Sequence, residues 1–70
     1  MKVFINGEPF GLEPQQHNLA AVLTRYLGDE HGKQSFAVAV NGDFIAKAEY
    51  QDTQLNGGDS IDLLFPIQGG

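Results

Sequence analysis

The chain has 70 residues, four Lys and Arg against nine Asp and Glu, a formal net charge of −5 and no Cys. This length holds one domain and leaves little room for a buried catalytic cleft, so a binding module or a carried substrate is expected before a multi-step enzyme. The missing Cys excludes disulfides, thiolate metal sites and a thiol nucleophile, and the acidity argues against nucleic acid and anionic membrane surfaces while suiting solubility or a basic partner.

Lys2 to Asn6 reads as a strand, with Val3 and Ile5 on one face and Phe4 on the other. Its start has no signal-peptide apolar run, and no stretch of the chain is apolar for long enough to span a bilayer, so the expected location is cytoplasmic. Asn6-Gly7 signals a two-residue hairpin, because both central positions of that turn need positive φ. A second short strand is expected over Pro9 to Leu12, with Pro9 at a strand start or an edge because it lacks an N–H.

Asn18 is a plausible helix N-cap. Leu19, Val22, Leu23, Tyr26 and Leu27 recur at helical spacing and make one apolar face, which predicts a helix over 19–27. Gly28 is the natural C-cap, and Asp29 to Gln34 reads as a polar loop. Phe36, Val38 and Val40 then alternate on one face of a third strand. Asn41-Gly42 repeats the hairpin signal, and a tight loop sets Val40 opposite Asp43, Ala39 opposite Phe44 and Val38 opposite Ile45. Ala46 to Leu55 shows no period and is expected to be irregular. Asn56-Gly57-Gly58-Asp59 is a turn cluster. Ile61 to Phe65 is the final strand, with Ile61, Leu63 and Phe65 inward, and Pro66 ends the pattern. The economical architecture is α+β, one amphipathic helix packed on one mixed sheet of four to five strands.

Several residue groups resemble a known family. Val38-Ala39-Val40-Asn41-Gly42-Asp43, Gly58-Asp59, Ile61-Asp62-Leu63-Leu64 and the final Gly69-Gly70 match the pattern of the ThiS family, the sulfur carriers of thiamine biosynthesis. Val3-Phe4-Ile5-Asn6-Gly7 and the 19–27 helix align in position. Two places depart from the pattern: Ala46-Lys47, where the family often has Pro-Arg, and Tyr50, where it often has Trp. Both lie in the aperiodic segment, away from the tail. The small subunit of molybdopterin synthase shares the fold and the Gly-Gly end but looks like a longer chain.

The resemblance implies the ubiquitin-like β-grasp fold over residues 1–65 and a flexible tail over residues 66–70, Pro66-Ile67-Gln68-Gly69-Gly70. It implies that the chain is a reactant and not an enzyme, with Gly70 as the site of adenylation and thiocarboxylate formation. It also implies three partners: a ThiF-like adenylating enzyme that uses ATP, a sulfur donor such as a cysteine desulfurase, and a ThiG-like thiazole synthase. No cofactor is expected to be bound by the chain itself.

The residues fit that chemistry. A carboxylate is a poor electrophile until transfer of AMP from ATP to its oxygen makes an acyl-adenylate, from which AMP is a good leaving group. Gly69 and Gly70 lack Cβ, so backbone can approach a nucleotide closely. Five residues from Pro66 to Gly70 reach at most ~17 Å when extended, enough to cross a shallow channel. Pro66 fixes its own φ and is placed to aim the tail off the sheet. The plain alternative is a Gly-Gly that is only a frayed end on a non-carrier β-grasp interaction module. A molybdopterin-type carrier and a ubiquitin-like modifier joined to lysines are further alternatives, separated by the receiving enzyme or by covalent adducts.

Phe4, Ala37, Ala39, Phe44 and Leu64 fall on the sheet face opposite the helix. They are expected to form a partner-docking patch, with Phe4, Ala39, Phe44 and Leu64 at its centre, although scattered apolar surface residues are also ordinary. His17 and His31 lack metal-ligand spacing with any carboxylate cluster and read as loop or capping residues. Asp59 and Asp62 read as a turn residue and an outward strand residue. Ser60 has no general base in its context.

Overall fold

The computed structural model describes residues 1–15, 17–28 and 35–66. Strand β1 (Lys2–Ile5) and strand β2 (Glu8–Gly11) form an antiparallel hairpin. Helix α1 (Leu19–Leu27) follows, then the hairpin of β3 (Ala37–Val40) and β4 (Asp43–Ile45). A 3-10 helix (Lys47–Asp52) precedes the last strand, β5 (Ser60–Leu64). The five strands make one mixed sheet in the order β2-β1-β5-β3-β4, so the last strand in sequence is the middle strand in space.

Local chemistry accounts for each element. Asn6 and Gly7 have φ of 51° and 86°, and Asn41 and Gly42 have 52° and 89°. Both hairpins thus use the primed turns whose twist matches that of the flanking strands, with Asn and Gly tolerating the left-handed region. Helix α1 starts where the Asn18 side chain accepts a hydrogen bond from the Ala21 amide at 2.8 Å, and it stops at Gly28, whose φ is 57°. Leu19, Val22 and Leu23 are buried on one side of it. They meet Val3, Ile5, Val38, Ile61 and Leu63 from the sheet, with Leu12, Tyr50 and Leu55 closing the margins. The helix therefore covers one sheet face and leaves the other open.

The second strand begins one residue earlier than expected, at Glu8 and not Pro9, and ends before Leu12. The two-residue turn is the reason: it pairs Ile5 with Glu8 at once. Pro9 sits opposite Phe4 on an edge strand, where its missing N–H costs nothing. Leu12 lies just past the strand, buried, and its amide donates to the Met1 carbonyl at 2.8 Å. The edge strand is tied to the helix by Arg25, whose Nη1 donates to the Gly11 carbonyl at 2.8 Å while its guanidinium lies 5.0 Å from the Phe10 ring centroid. Tyr26, expected on the buried helical face, is instead half-exposed and packs edge-on against Phe10, with centroids 5.5 Å apart.

Two further expectations are corrected. Residues 47–52 are a 3-10 helix and not irregular. The Glu49 amide donates to the Ala46 carbonyl at 2.8 Å, and the Thr53 hydroxyl to the Glu49 carbonyl at 2.8 Å. Such a short 3-10 run carries no 3.6-residue period, so its one anchor, Tyr50, is invisible to periodicity. Phe65 is not inward: it is 43% exposed and rests on Phe36 with ring centroids 5.9 Å apart. Strand β5 ends at Leu64, so the alternation that buries Ile61 and Leu63 no longer governs Phe65. The expected polar loop over 29–34 lies outside the described residues.

Burial of Tyr50 raises its phenol above the ordinary value of 10.0 by desolvation. The unfolded chain then releases this proton at lower pH than the folded one. The stability conferred by the neutral phenol is fully present below the unfolded value near 10 and is lost as pH rises through the higher folded value. Urea denaturation midpoints measured from about pH 9 to 11 should fall for the wild type. They should fall less for Tyr50→Phe, which has no proton to lose.

Candidate functional site

The candidate site is the C-terminal exit of β5 together with the open face of the sheet. Strand β5 runs parallel to β1, with Phe4 beside Ser60 and Ile5 beside Ile61. It runs antiparallel to β3, from Val40 beside Ile61 to Ala37 beside Leu64. Both neighbours leave β5 at an Asn-Gly turn, and in both the Asn side chain takes over from the departing backbone. The Asn6 amide donates to the Ile61 carbonyl at 2.9 Å, and its Oδ1 accepts from the Leu63 amide at 2.8 Å. The Asn41 amide donates to the Ser60 carbonyl at 2.7 Å, and its Oδ1 accepts from the Ser60 amide at 3.0 Å.

The start of β5 is fixed by Asp59. Its carboxylate accepts from Asn41 Nδ2 at 3.1 Å and from the Asn56 amide at 2.8 Å, and its carbonyl accepts from the Phe4 amide at 2.9 Å. Asp59 is thus a turn residue, as its position implied, and Asp62 faces the open side of β5. The reading of Asn6 and Asn41 as turn residues missed their second task. The signal available was the choice of Asn where the turn alone accepts Gly.

The predicted docking residues do share the open face, with unequal exposure. Phe44 is 69% exposed and Leu64 51%. Phe4 is half-buried, with Lys2 Nζ 5.5 Å from its ring centroid. Ala39 is on this face but only 4% exposed, because Phe44 on one side and Asp62 on the other are its cross-strand neighbours. It is the floor of the patch and not a contact surface. Ala37 is exposed beside Leu64. Next to the exit, Ser35, Phe36, Ala37, Leu64, Phe65 and Pro66 line a wide, shallow, mostly apolar depression. Of the predicted tail, Pro66 is described and exposed, while Ile67, Gln68, Gly69 and Gly70 lie outside the described residues.

Among the described residues no three His, Cys, Asp or Glu side chains gather as a metal site. His17 is half-buried and its carbonyl accepts from the Leu55 amide at 2.6 Å, which makes it part of the loop-to-loop join; His31 lies outside the described residues. No helix among the described residues is long and apolar enough to cross a membrane.

The model of the ThiS family matches residues 3–70. The chain belongs to the ThiS family. Its fold is that of a crystal structure described as a thiamine biosynthesis protein (ThiS) from Geobacter metallireducens: the TM-score is 0.78, with 21% identity, over the whole of both chains. The five-stranded mixed sheet with one main helix is accordingly the ubiquitin-like β-grasp. No curated protein matches the chain. The two departures from the ThiS pattern both sit on the helix side of the sheet: Lys47 at the start of the 3-10 helix and Tyr50 buried within it. Neither is on the open face.

The unequal burial makes opposite predictions for two neighbours. Phe44→Glu should shift stability by less than about 0.5 kcal/mol, since it changes an exposed side chain. Ala39→Glu should destabilise by roughly 2 kcal/mol or more, since it forces a charge into a closed position. Thermal melts of the two variants check both, and a large loss in Phe44→Glu would mean that the open face is part of the fold's support.

Proposed function

We propose that this chain is a sulfur carrier whose Gly70 carboxyl is the reacting group, serving thiazole formation in thiamine biosynthesis. The observation that carries the reading is the family match running to Gly70, on a strand that is central, held on both flanks and followed directly by the tail. In this reading residues 1–65 are the body that partners grip and residues 66–70 are the part that enters their active sites.

The chemistry runs through the partners. A carboxylate oxygen of Gly70 attacks the α-phosphorus of ATP in a ThiF-like enzyme and expels pyrophosphate, giving an acyl-adenylate. A sulfur nucleophile delivered by the donor, a cysteine desulfurase or similar, attacks the acyl carbon and expels AMP. When the nucleophile is a persulfide, its outer sulfur becomes bonded to the acyl carbon. A partner thiolate then attacks the inner sulfur, forming a disulfide with the donor, and the sulfur–sulfur bond breaks with its electron pair leaving on the acyl-bound sulfur as the Gly70 thiocarboxylate. That anionic sulfur attacks a carbonyl of the thiazole precursor in a ThiG-like synthase. The body contributes grip: exposed Phe44 and Leu64 offer apolar area, and Asp62 beside them offers charge for a basic partner surface. ATP is used by the partner, and the chain is consumed and regenerated in the cytoplasm without binding a cofactor.

The test is intact-mass spectrometry of the protein incubated with ATP, the activating enzyme and a sulfur source. The expected product has one oxygen replaced by one sulfur, at Gly70. Deletion of Gly70 should abolish it, and Phe44→Glu should raise the KM for adenylation about tenfold, the loss of one well-packed apolar contact. An unchanged mass with an enzyme active on its own carrier would overturn the reading.

A further inference from the structure

We propose that Asn6 is a positioning residue for the tail: its side chain sets the direction in which the chain leaves the sheet. The inference rests on the carrier reading and goes beyond it, because it assigns to a residue in the first hairpin a part in presenting the last residue.

The geometry is that of a ladder completed by a side chain. In a parallel pair, a residue donates its N–H to one residue of the neighbouring strand and accepts at its C=O from the residue two further on. Asn6 makes the first bond with its backbone, to Ile61. Its backbone then enters the left-handed region, at φ 51°, and the chain turns into the hairpin. The second bond, from Leu63, is accepted by Asn6 Oδ1 at 2.8 Å. The amide carbonyl stands where a continuing strand would have put a backbone carbonyl.

Strand β1 pairs with β5 only as far as Ile5 beside Ile61, so this bond holds the C-terminal half of β5 on that flank. On the other flank β3 pairs up to Leu64. Without Asn6, β5 beyond Ile61 would be gripped from one side alone. The hairpin itself does not require the amide, since Gly satisfies the same turn position. The side chain is surplus to the turn and is accounted for by the Leu63 bond.

A small change at this root is magnified at the end. Over the roughly 10 Å of extended chain from Leu63 to Pro66, a swing of about 20° at the base displaces the start of the tail by roughly 3 Å. Attack on a phosphorus demands reacting atoms about 3–3.5 Å apart. A tail with a loose root spends less of its docked time in that geometry. The cost therefore falls on the chemical step, while docking through Phe44 and Leu64, on the open face, is untouched.

Two variants and two readouts test this. Asn6→Gly keeps the turn and removes the acceptor; Asn6→Asp keeps an acceptor oxygen and tolerates the same φ. Amide hydrogen exchange of Leu63 reads the bond, and steady-state pyrophosphate release by the cognate activating enzyme reads adenylation. In the wild type the Leu63 amide should be protected. In Asn6→Gly its exchange should accelerate, and kcat should fall about tenfold with KM changed less than about twofold. Asn6→Asp should restore both. Three results would overturn the proposal: an unprotected Leu63 in the wild type, wild-type kcat in Asn6→Gly, or loss of cooperative folding in Asn6→Gly, which would make Asn6 a stability residue. Failure of the wild type itself to be adenylated would bring down the carrier reading and this inference together.

Discussion

The structure depends on one substitution of partners, repeated on both flanks of the central strand. A β-sheet must satisfy every buried backbone amide, and a hairpin turn necessarily removes backbone carbonyls from the ladder. Asn6 and Asn41 resolve that conflict by lending a side-chain carbonyl to the strand their own backbone is leaving. The same residue type suits both tasks, since Asn tolerates positive φ and carries an amide oxygen at the right reach. The result is that β5 can be the middle strand although neither neighbour runs its full length.

This arrangement orders the rest of the molecule. With β5 fixed, Ile61 and Leu63 point to the helix, and their neighbours Asp62 and Leu64 point to the open face. The core then needs only one layer of side chains from α1, with the 3-10 helix and its Tyr50 sealing one margin. A chain of this size cannot spread its apolar residues over two covered faces. Concentrating them on one side is what leaves Phe44 and Leu64 exposed on the other.

Much of this was legible in the sequence, for definite reasons. Asn-Gly pairs fix turn type and therefore register, which is why the pairing of Ala39 with Phe44 follows from residue order alone. The helix had both caps and a continuous apolar stripe, and its boundaries follow from Asn18 and Gly28. What escaped notice was non-local or aperiodic. The bond from Leu63 to Asn6 joins residues 57 positions apart, and no short-range pattern announces it. The 3-10 helix has too few residues for a period. Ala39 sits on the predicted face, but alternation reports direction and not depth; its burial comes from the size of Phe44 and Asp62 beside it. The Gly-Gly end is a reading of the sequence alone, from the absence of Cβ and the resemblance to the ThiS pattern, because residues 67–70 lie outside the described residues.

The position of β5 also bears on how a carrier withstands use. In the proposed carrier role, a partner that draws the tail into its active site pulls on the chain at Pro66. A load on an edge strand would be resisted by one ladder of hydrogen bonds, which can open rung by rung. A load on the middle strand is shared between β1 and Asn6 on one flank and β3 and Asn41 on the other. The Asp59 carboxylate, bound to Asn41 and to the Asn56 amide, holds the far end of the same strand. Net stability in a domain this small is only about 5 kcal/mol, so a body that partners grip on one face and tension at one end must place that tension where its bonds are doubled. A tail that follows the central strand, as the proposed reacting tail does, satisfies that requirement without enlarging the core.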